Sequence, residues 1–221
     1  MKKGIVYRST GSWYTVQSEG VFYECRIKGK LRLKGIKSTN PVAVGDWVYF
    51  EVDSHANANE GNITKIEERQ NYIVRKSVNL SKQTHIIASN IDQVFLIVTL
   101  NNPPTFPAFI DRFLVTAEAY QIPAIILFNK IDTYSKLELE EITLLQKTYE
   151  NIGYSTYLIS AIQDEGIEKV KELMQDKVSM FSGHSGVGKS TLVNAISPSL
   201  DLKTAAISKQ HQQGMHTTTF A

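Results

Sequence analysis

The chain has 221 residues, a hydrophobic fraction of 42% and a net charge of +2. Its length is enough for one large folded domain or two modest ones. No apolar run approaches the roughly 18 to 20 residues of a membrane helix, and Met1 is not followed by a secretory signal. Cys25 is the single cysteine, which excludes an internal disulfide and a multi-cysteine metal site in these residues. We therefore expect a soluble, cytoplasmic, monomeric protein.

Positive charge is concentrated at the start of the chain. Residues 1–40 hold nine basic side chains against Glu19 and Glu24, a local charge of +7 (9 − 2). Residues 41–221 must then sum to −5 (2 − 7). This asymmetry suggests that one end of the protein contacts a polyanion.

Short β-like runs separated by turn residues fill residues 1–72. Val21 to Ile27 alternates clearly, with Tyr23, Cys25 and Ile27 on one face. Four or five such strands without a convincing helix predict an all-β barrel of the OB type. The predicted outward face mixes basic and aromatic side chains, which suits RNA binding: Arg26, Lys28, Arg32, Lys34, Trp13, Tyr14 and Phe22.

The alternative for this face is that its charges only keep a strand surface soluble, and Trp47 and Phe50 are equally compatible with the core. Because of the charge asymmetry we favour contact with nucleic acid. Residues 73–88 are polar and lack a clear period, so we interpret them as a connector. Its basic groups either extend the basic surface or belong to a loop without function: Arg75, Lys76 and Lys82.

Strand and helix patterns alternate through residues 89–221. Residues 93–100, 123–128, 155–159 and 177–182 are short apolar runs typical of strands buried on both faces. Between them, helical spacing predicts helices over residues 107–120, 135–150 and 166–175, and a Ser135-x-x-Glu138 capping box opens the second. This region therefore predicts an α/β domain with a parallel sheet.

A glycine-rich segment of the form G-x-x-x-x-G-K-[ST] follows the last predicted strand and precedes a helix that Pro198 stops. In that setting backbone N–H groups and the positive end of the helix can cradle a polyphosphate. Lys189 would reach the β- and γ-phosphates and the Ser190 hydroxyl would bind Mg²⁺. The predicted nucleotide contacts of this phosphate loop are Gly183, His184, Ser185, Gly186, Val187, Gly188, Lys189, Ser190 and Thr191.

The base loop, Asn129-Lys130-Ile131-Asp132, comes directly after a buried strand, at the edge where open α/β sheets bind ligands. The Asp132 carboxylate can accept hydrogen bonds from N1–H and the exocyclic amine of guanine, whereas adenine offers no such pair. Asn129 would touch the base and tie the loops together, and the Lys130 stem would cover the ring face. Ser160-Ala161 follows the next strand. Because these side chains are small, we expect a backbone N–H of this segment to approach the oxygen of the base.

These motifs resemble the guanine-nucleotide-binding domain of regulatory GTPases. In most of that superfamily the phosphate loop precedes the N-K-x-D and S-A segments, whereas here it follows them, so the chain resembles a circularly permuted GTPase. The polar segment 207–219, ending in His216-Thr217-Thr218-Thr219, resembles the first switch, in which a threonine completes the Mg²⁺ shell. We assign this role to Thr218, although the sequence does not choose among the three threonines. An ordinary polar connector is the alternative.

The barrel, the permuted GTPase motifs and the H-T-T-T switch together resemble the ribosome small-subunit-dependent GTPase A family, over essentially the whole chain. The resemblance implies GTP hydrolysis with Mg²⁺, an OB domain on ribosomal RNA, and a role in late maturation of the small ribosomal subunit. It also implies catalytic roles for Lys189 and Thr218, and His216 is a candidate for positioning water, with a structural histidine as the alternative.

The sequence departs from the family pattern in two ways. No Asp-x-x-Gly segment, which GTPases use for Mg²⁺ and the second switch, occurs in the 221 residues. The zinc domain that the resemblance implies, with its Cys and His ligands, is also missing, so Zn²⁺ is expected only there. We therefore expect a chain that is incomplete at its C-terminus, that binds GTP and GDP and that hydrolyses GTP poorly.

Two other functions are compatible with the residues. One is a non-catalytic RNA-binding module in which a nucleotide only organises the fold. The other is a P-loop ATPase, which the Asn129 to Asp132 segment disfavours.

Overall fold

The computed structural model describes residues 1–27, 41–53, 59–76 and 84–200. These residues divide into two compact units, Met1–Ile91 and a second that begins at Asp92. The strands of the first unit are β1 (Lys2–Thr10), β2 (Trp13–Ser18), β3 (Val21–Ile27), β4 (Trp47–Val52), β5 (Glu60–Ile66), β6 (Tyr72–Lys76) and β7 (Thr84–Ser89).

Five of the described strands close a barrel in the order β1-β2-β3-β5-β4, with β4 returning to pair with β1. All the pairs are antiparallel except β3 with β5. Side chains alternate between the barrel interior and its surface, and the inward set forms one apolar core. That core comprises Val6, Tyr14, Val16, Tyr23, Cys25, Val42, Val48, Phe50, Ile63 and Ile66. The predicted OB-type barrel is thus confirmed.

Tyr14 corrects one detail of the predicted outward face, since it is only 2% exposed and belongs to the core. Neighbouring residues of a strand point to opposite sides, so Trp13 and Tyr14 cannot both face outward. Tyr14 pairs with Cys25 across β2 and β3, which sets its inward orientation. Of the two aromatic residues that the sequence left open, Phe50 is core and Trp47 is 40% exposed.

The predicted connector over residues 73–88 instead contains β6 and β7, which pair antiparallel. A register shift between Ile73 and Val74 interrupts the alternation, which is why the sequence showed no clear period there. The hairpin belongs to the first unit, because Ala88 bridges to Val44 and the Ser89 N–H donates to the Val44 carbonyl at 2.9 Å.

A buried ion pair joins the segment before β4 to the residues around this hairpin. The guanidinium of Arg69 donates to both carboxylate oxygens of Asp46 at 2.6 Å, and the two side chains are 6% and 0% exposed. The Ser89 hydroxyl and the Ala43 N–H also donate to Asp46, at 2.6 and 2.8 Å. A carboxylate that is removed from water is tolerated here because its lone pairs are occupied.

In the second unit, four described strands form a parallel sheet in the order β10-β9-β8-β11, as the alternating pattern predicted. Their bounds are β8 (Gln93–Val98), β9 (Ala124–Phe128), β10 (Ser155–Leu158) and β11 (Ser179–Ser182). The helices are α1 (Pro107–Ala119), α2 (Lys136–Asn151), α3 (Ile167–Met174) and α4 (Lys189–Ile196), with 3-10 turns at Ile131–Thr133 and Pro198–Leu200. No described helix is long and apolar enough to cross a membrane.

Local signals set the ends of these helices. Pro107 is the first residue of α1, where its missing N–H costs nothing. At α2 the predicted capping box is formed, since the Ser135 side chain accepts from the Glu138 N–H and the Glu138 carboxylate accepts from the Ser135 N–H. Every residue of β8 and β9 is buried, so the loops after these strands emerge at the carboxyl edge of a rigid sheet.

Candidate nucleotide-binding site

The phosphate loop runs from the end of β11 into α4, in the predicted strand, loop and helix order. Gly188 precedes α4 with φ +98°, and a Cβ on it would lie 2.4 Å from Nδ2 of Asn129. At the start of the loop, Gly183 has φ +144° and a Cβ there would lie 2.3 Å from the Ile97 carbonyl oxygen. Only glycine therefore fits at either end of the loop.

Lys189 lies inside this loop. Its ammonium donates to the carbonyl of Gly183 at 2.9 Å and to the carbonyl of His184 at 2.6 Å. An ammonium has three N–H bonds, so this arrangement leaves the third for a phosphate oxygen. Burial lowers the pKa of Lys189, and an anion bound beside it would oppose that effect.

Asn129 connects the base loop to the phosphate loop. It follows β9 directly and is 1% exposed. Its Nδ2 donates to the carbonyl of Val187 at 2.8 Å, and its Oδ1 accepts from the N–H of Ala161 at 3.1 Å. One side chain thus joins three segments that are far apart in sequence.

Lys130 makes a second connection between the same loops. Its ammonium donates to the carbonyl of Gly186 at 2.7 Å and to that of Asn102 at 2.6 Å. The residue has φ +68°, in the left-handed region of the backbone. Burial lowers the pKa of Lys130, and the nearby Asp132 carboxylate partly offsets this.

Asp132 lies next to the Ser160-Ala161 segment. The Ser160 hydroxyl donates to Oδ1 of Asp132 at 2.5 Å and accepts from the N–H of Gln163 at 3.2 Å. Ser160 is fully buried, so this hydrogen bond fixes the orientation of the Asp132 carboxylate from the protein interior. A carboxylate has four acceptor positions, which is enough for Ser160 and for two donors of a base.

Two neighbours of the base loop were not predicted from the sequence. Tyr134 donates from its hydroxyl to the Asn129 carbonyl at 3.0 Å and accepts from the Leu100 N–H at 2.9 Å, and burial raises its pKa to about 12. Asn102 contributes only its backbone carbonyl, so its side-chain type could not have indicated this role. Residues 99–106 follow buried β8 directly, and this position in the sequence could have indicated that they lie near the site.

His184 packs against the first turn of α1. Its ring centroid lies 3.8 Å from that of Phe109, with 33° between the ring planes. Burial lowers the pKa of His184, and the charge of Lys189 lowers it further, so both effects favour the neutral imidazole. This contact was also not predicted, since nothing in the spacing of residues 109 and 184 brings them together.

The structure brings together the predicted residues of both loops and of the Ser160-Ala161 segment. Ser190 and Thr191 occupy the first turn of α4, directly after Lys189. His216 and Thr217 to Thr219 lie outside the described residues, so the predicted switch stays a prediction.

Within the described ranges, no group of three or more His, Cys, Asp or Glu side chains could hold a metal ion. A single hydroxyl such as that of Ser190 still fits Mg²⁺, which keeps several waters in such sites.

Comparison with known proteins agrees with this geometry. The family model described as RsgA GTPase matches residues 66–221, and the RsgA N-terminal domain model matches residues 3–63. The chain belongs to the RsgA GTPase family. It is 65% identical over 220 residues to the small ribosomal subunit biogenesis GTPase RsgA of Christiangramia forsetii, covering 99% of this chain and 70% of that protein. The protein of the same name from Flavobacterium johnsoniae is 66% identical over 219 residues, covering 99% and 67%.

Two solved structures share the fold of this chain. YjeQ from Thermotoga maritima matches with a TM-score of 0.75 and 34% identity, over 92% of this chain and 68% of that one. YloQ, described as a circularly permuted GTPase, matches with a TM-score of 0.67 and 32% identity, over 97% and 69%. The circular permutation expected from the order of the motifs is thus confirmed.

Proposed function

We propose that this protein is a GTP-binding and GTP-hydrolysing switch that acts in late maturation of the small ribosomal subunit. The observation that carries the proposal is the contact between the two loops, in which Asn129 binds the Val187 carbonyl and Lys130 binds that of Gly186. Because of these bonds, the Asp132 carboxylate and the glycine cradle belong to one site that a single nucleotide can span. Membership of the RsgA family supports the same role, since its named relatives are small ribosomal subunit biogenesis GTPases.

Selection of guanine follows from the chemistry of Asp132. The carboxylate offers acceptors to the N1–H and amino group of guanine, and Ser160 holds it in place. With adenine, the carboxylate would lose water without gaining donors, which is costly. Lys130 lies across the site with its aliphatic stem available to cover the ring.

Phosphate binding is assigned to the backbone N–H groups of the loop and to the third N–H of Lys189. The hydroxyl of Ser190 would hold Mg²⁺, which supplies positive charge against the oxygens of the transferred phosphoryl group. The close approach of Gly183 and Gly188 to neighbouring atoms supports this assignment, since it keeps the loop narrow. Thr218 and His216 remain proposed contributors to Mg²⁺ binding and water positioning.

Hydrolysis by this 221-residue chain is expected to be slow. A GTPase positions the attacking water and a second Mg²⁺ contact through an Asp-x-x-Gly segment, and none is present in the sequence. Nucleotide binding needs only the residues described above. We therefore expect tight binding of GDP and GTP with weak turnover.

The barrel is proposed to bind ribosomal RNA. The guanidinium of Arg26 lies 3.7 Å from the ring centroid of Trp13, and the ammonium of Lys3 lies 5.0 Å from that of Trp47. Phe22 is 49% exposed. Rings for stacking and cations for phosphates suit single-stranded RNA, and a partner of this kind implies a cytoplasmic protein.

Calorimetric titration of GDP, a non-hydrolysable GTP analogue and ATP in the presence of Mg²⁺ tests the nucleotide site. We expect the guanine nucleotides to bind about a hundredfold or more tightly than ATP, because the half-buried Asp132 carboxylate would lose water to adenine without gaining donors. Lys189→Ala should abolish most of this binding. The matched control is Lys171→Ala, which removes a lysine from an exposed pair with Glu168 on α3 and should bind as the wild type does. Equal affinity for GDP and ATP would contradict the proposal.

The strongest competing function is an RNA-binding module whose nucleotide site only organises the fold. Binding of a ribosomal RNA fragment, measured against salt concentration with GDP and with the GTP analogue, separates the two. A switch predicts that RNA affinity differs between the two nucleotides. The same salt dependence and affinity with either nucleotide would favour the module.

A further inference from the structure

The first half of the phosphate loop rests on α1. Phe109, in the first turn of α1, packs against His184 with 3.8 Å between ring centroids and 33° between ring planes. Both side chains are half-buried, and burial lowers the pKa of His184, which favours the neutral imidazole.

The backbone of His184 is hydrogen-bonded to Lys189, the lysine proposed to bind phosphate. The backbone carbonyl of His184 accepts from the Lys189 ammonium at 2.6 Å, and the carbonyl of Gly183 accepts from it at 2.9 Å. A side chain held by Phe109 fixes the peptide of its own residue, and that peptide aims the ammonium. The series of contacts runs from Phe109 through His184 to Lys189.

The second half of the loop is held differently. Asn129 and Lys130 donate to the carbonyls of Val187 and Gly186, so hydrogen bonds from the base loop fix that part. The two halves of the loop are thus supported from two different elements, the base loop and α1.

We propose that His184 is a positioning residue, whose ring contact with Phe109 holds the Lys189 ammonium in its phosphate-binding orientation and slows the release of GDP. The inference depends on the proposed function, because it concerns the phosphates of a nucleotide bound in this site. It assigns to α1 a part in nucleotide retention that none of the nucleotide-binding motifs includes. An aromatic pair of this kind changes an equilibrium by about two- to tenfold, and we expect an effect of that size.

The experiment measures the release rate and affinity of GDP labelled with N-methylanthraniloyl, on the whole chain with Mg²⁺. His184→Ala and Phe109→Leu each remove one ring, and the double variant removes both. His184→Phe restores a ring without the imidazole nitrogens. Phe113→Leu is the matched control, because it makes the same change one turn further along α1.

We expect His184→Ala and Phe109→Leu each to release labelled GDP about two- to tenfold faster and to bind it correspondingly more weakly. The double variant should be no worse than either single variant, since both remove the same contact. His184→Phe should retain slow release, and Phe113→Leu should behave as the wild type does. Thermal unfolding of each variant identifies any that has lost its fold.

Three results would overturn the inference. One is release from both single variants at the wild-type rate, and another is His184→Phe releasing GDP as fast as His184→Ala. The third is acceleration by Phe113→Leu equal to that by Phe109→Leu, which would indicate a general loosening of α1. In each of these cases the wild type still binds GDP and the proposed function stands. If the wild type does not bind labelled GDP at all, the proposed function fails and this inference fails with it.

Discussion

The α/β unit and the barrel differ in the kind of contact that their polar side chains make. In the α/β unit, side chains of the base loop donate hydrogen bonds to specific backbone carbonyls of the phosphate loop, as Asn129 does to that of Val187. On the barrel surface, cations lie over the faces of aromatic rings, as the guanidinium of Arg26 does over Trp13 at 3.7 Å. The comparison shows why a short motif can identify a nucleotide site while an outward strand face indicates only a class of partner.

The largest expected loss of stability concerns the barrel, at the buried ion pair of Asp46 and Arg69. Arg69→Ala leaves the carboxylate of Asp46 buried without its cation, which should lower the free energy of unfolding by about 3–5 kcal/mol. Both tryptophans of the chain, Trp13 and Trp47, lie in the first unit, so tryptophan fluorescence during denaturant unfolding reports on the barrel. GDP affinity of the folded protein should change little.

Arg8→Ala is the control for this variant, since Arg8 is exposed on the same barrel and its loss should stay within about 0.5 kcal/mol. If Arg69→Ala costs no more than Arg8→Ala, the buried pair does not hold the first unit together.

A smaller effect, confined to the α/β unit, is expected at Gly188. In Gly188→Ala the new Cβ would meet Nδ2 of Asn129 at 2.4 Å, in addition to the strain of φ +98°. Strain and the lost hydrogen bond to Val187 together cost about 2–4 kcal/mol, so GDP affinity in calorimetry should fall roughly 30- to 1000-fold. The fluorescence-detected unfolding of the barrel should not change.

Gly153→Ala is the control that separates the steric clash with Asn129 from the backbone strain of a positive φ angle. Gly153 has φ +100°, nearly the same as Gly188, but nothing lies within 4 Å of a Cβ built on it. It should destabilise the α/β unit by about 1–2 kcal/mol and leave GDP affinity unchanged. Equal losses of affinity in the two variants would mean that the contact between the loops is not what the site needs.

The smallest expected effect concerns pH and the capping box of α2. Hydrogen bonds from Ser135 to the Glu138 carboxylate lower the pKa of Glu138 below its ordinary 4.5. A lowered folded-state pKa means that the unfolded chain binds the proton more readily. This contribution to stability is therefore present above pH 4.5 and is lost as pH falls through the folded-state pKa.

Glu138→Gln should flatten the acid side of the stability profile, measured as thermal midpoints by circular dichroism between about pH 3 and 6. Glu140→Gln, on the same helix but outside the capping box, is the control. A profile for Glu138→Gln that falls as steeply as that of the wild type would contradict the assignment.

Features that depend on residues close in sequence were predictable. The Ser135 capping box needs two residues three positions apart, and the phosphate loop needs glycines at fixed spacing between a strand and a helix. In both features the residue types and their spacing are enough to predict the local structure, because the interacting groups lie only a few residues apart. The order of the base and phosphate loops likewise predicted the circular permutation.

Other features depend on register or on distant packing, and the sequence did not reveal them. Tyr14 was misplaced because only its pairing with Cys25 shows which face of β2 is inward. The hairpin of β6 and β7 was missed because a register shift at Ile73 hides the alternation. The ring contact between Phe109 and His184 joins residues 75 positions apart (184 − 109) that no motif connects.

The central claim is that one guanine nucleotide spans from Asp132 to the phosphate loop, and Asp132→Asn tests it most directly. Xanthine carries a carbonyl where guanine carries its amino group, so an asparagine amide matches xanthine as a carboxylate matches guanine. In calorimetry the wild type should prefer GDP over xanthosine diphosphate, and Asp132→Asn should reverse that order. A variant that keeps the wild-type affinities for both diphosphates would contradict the claim.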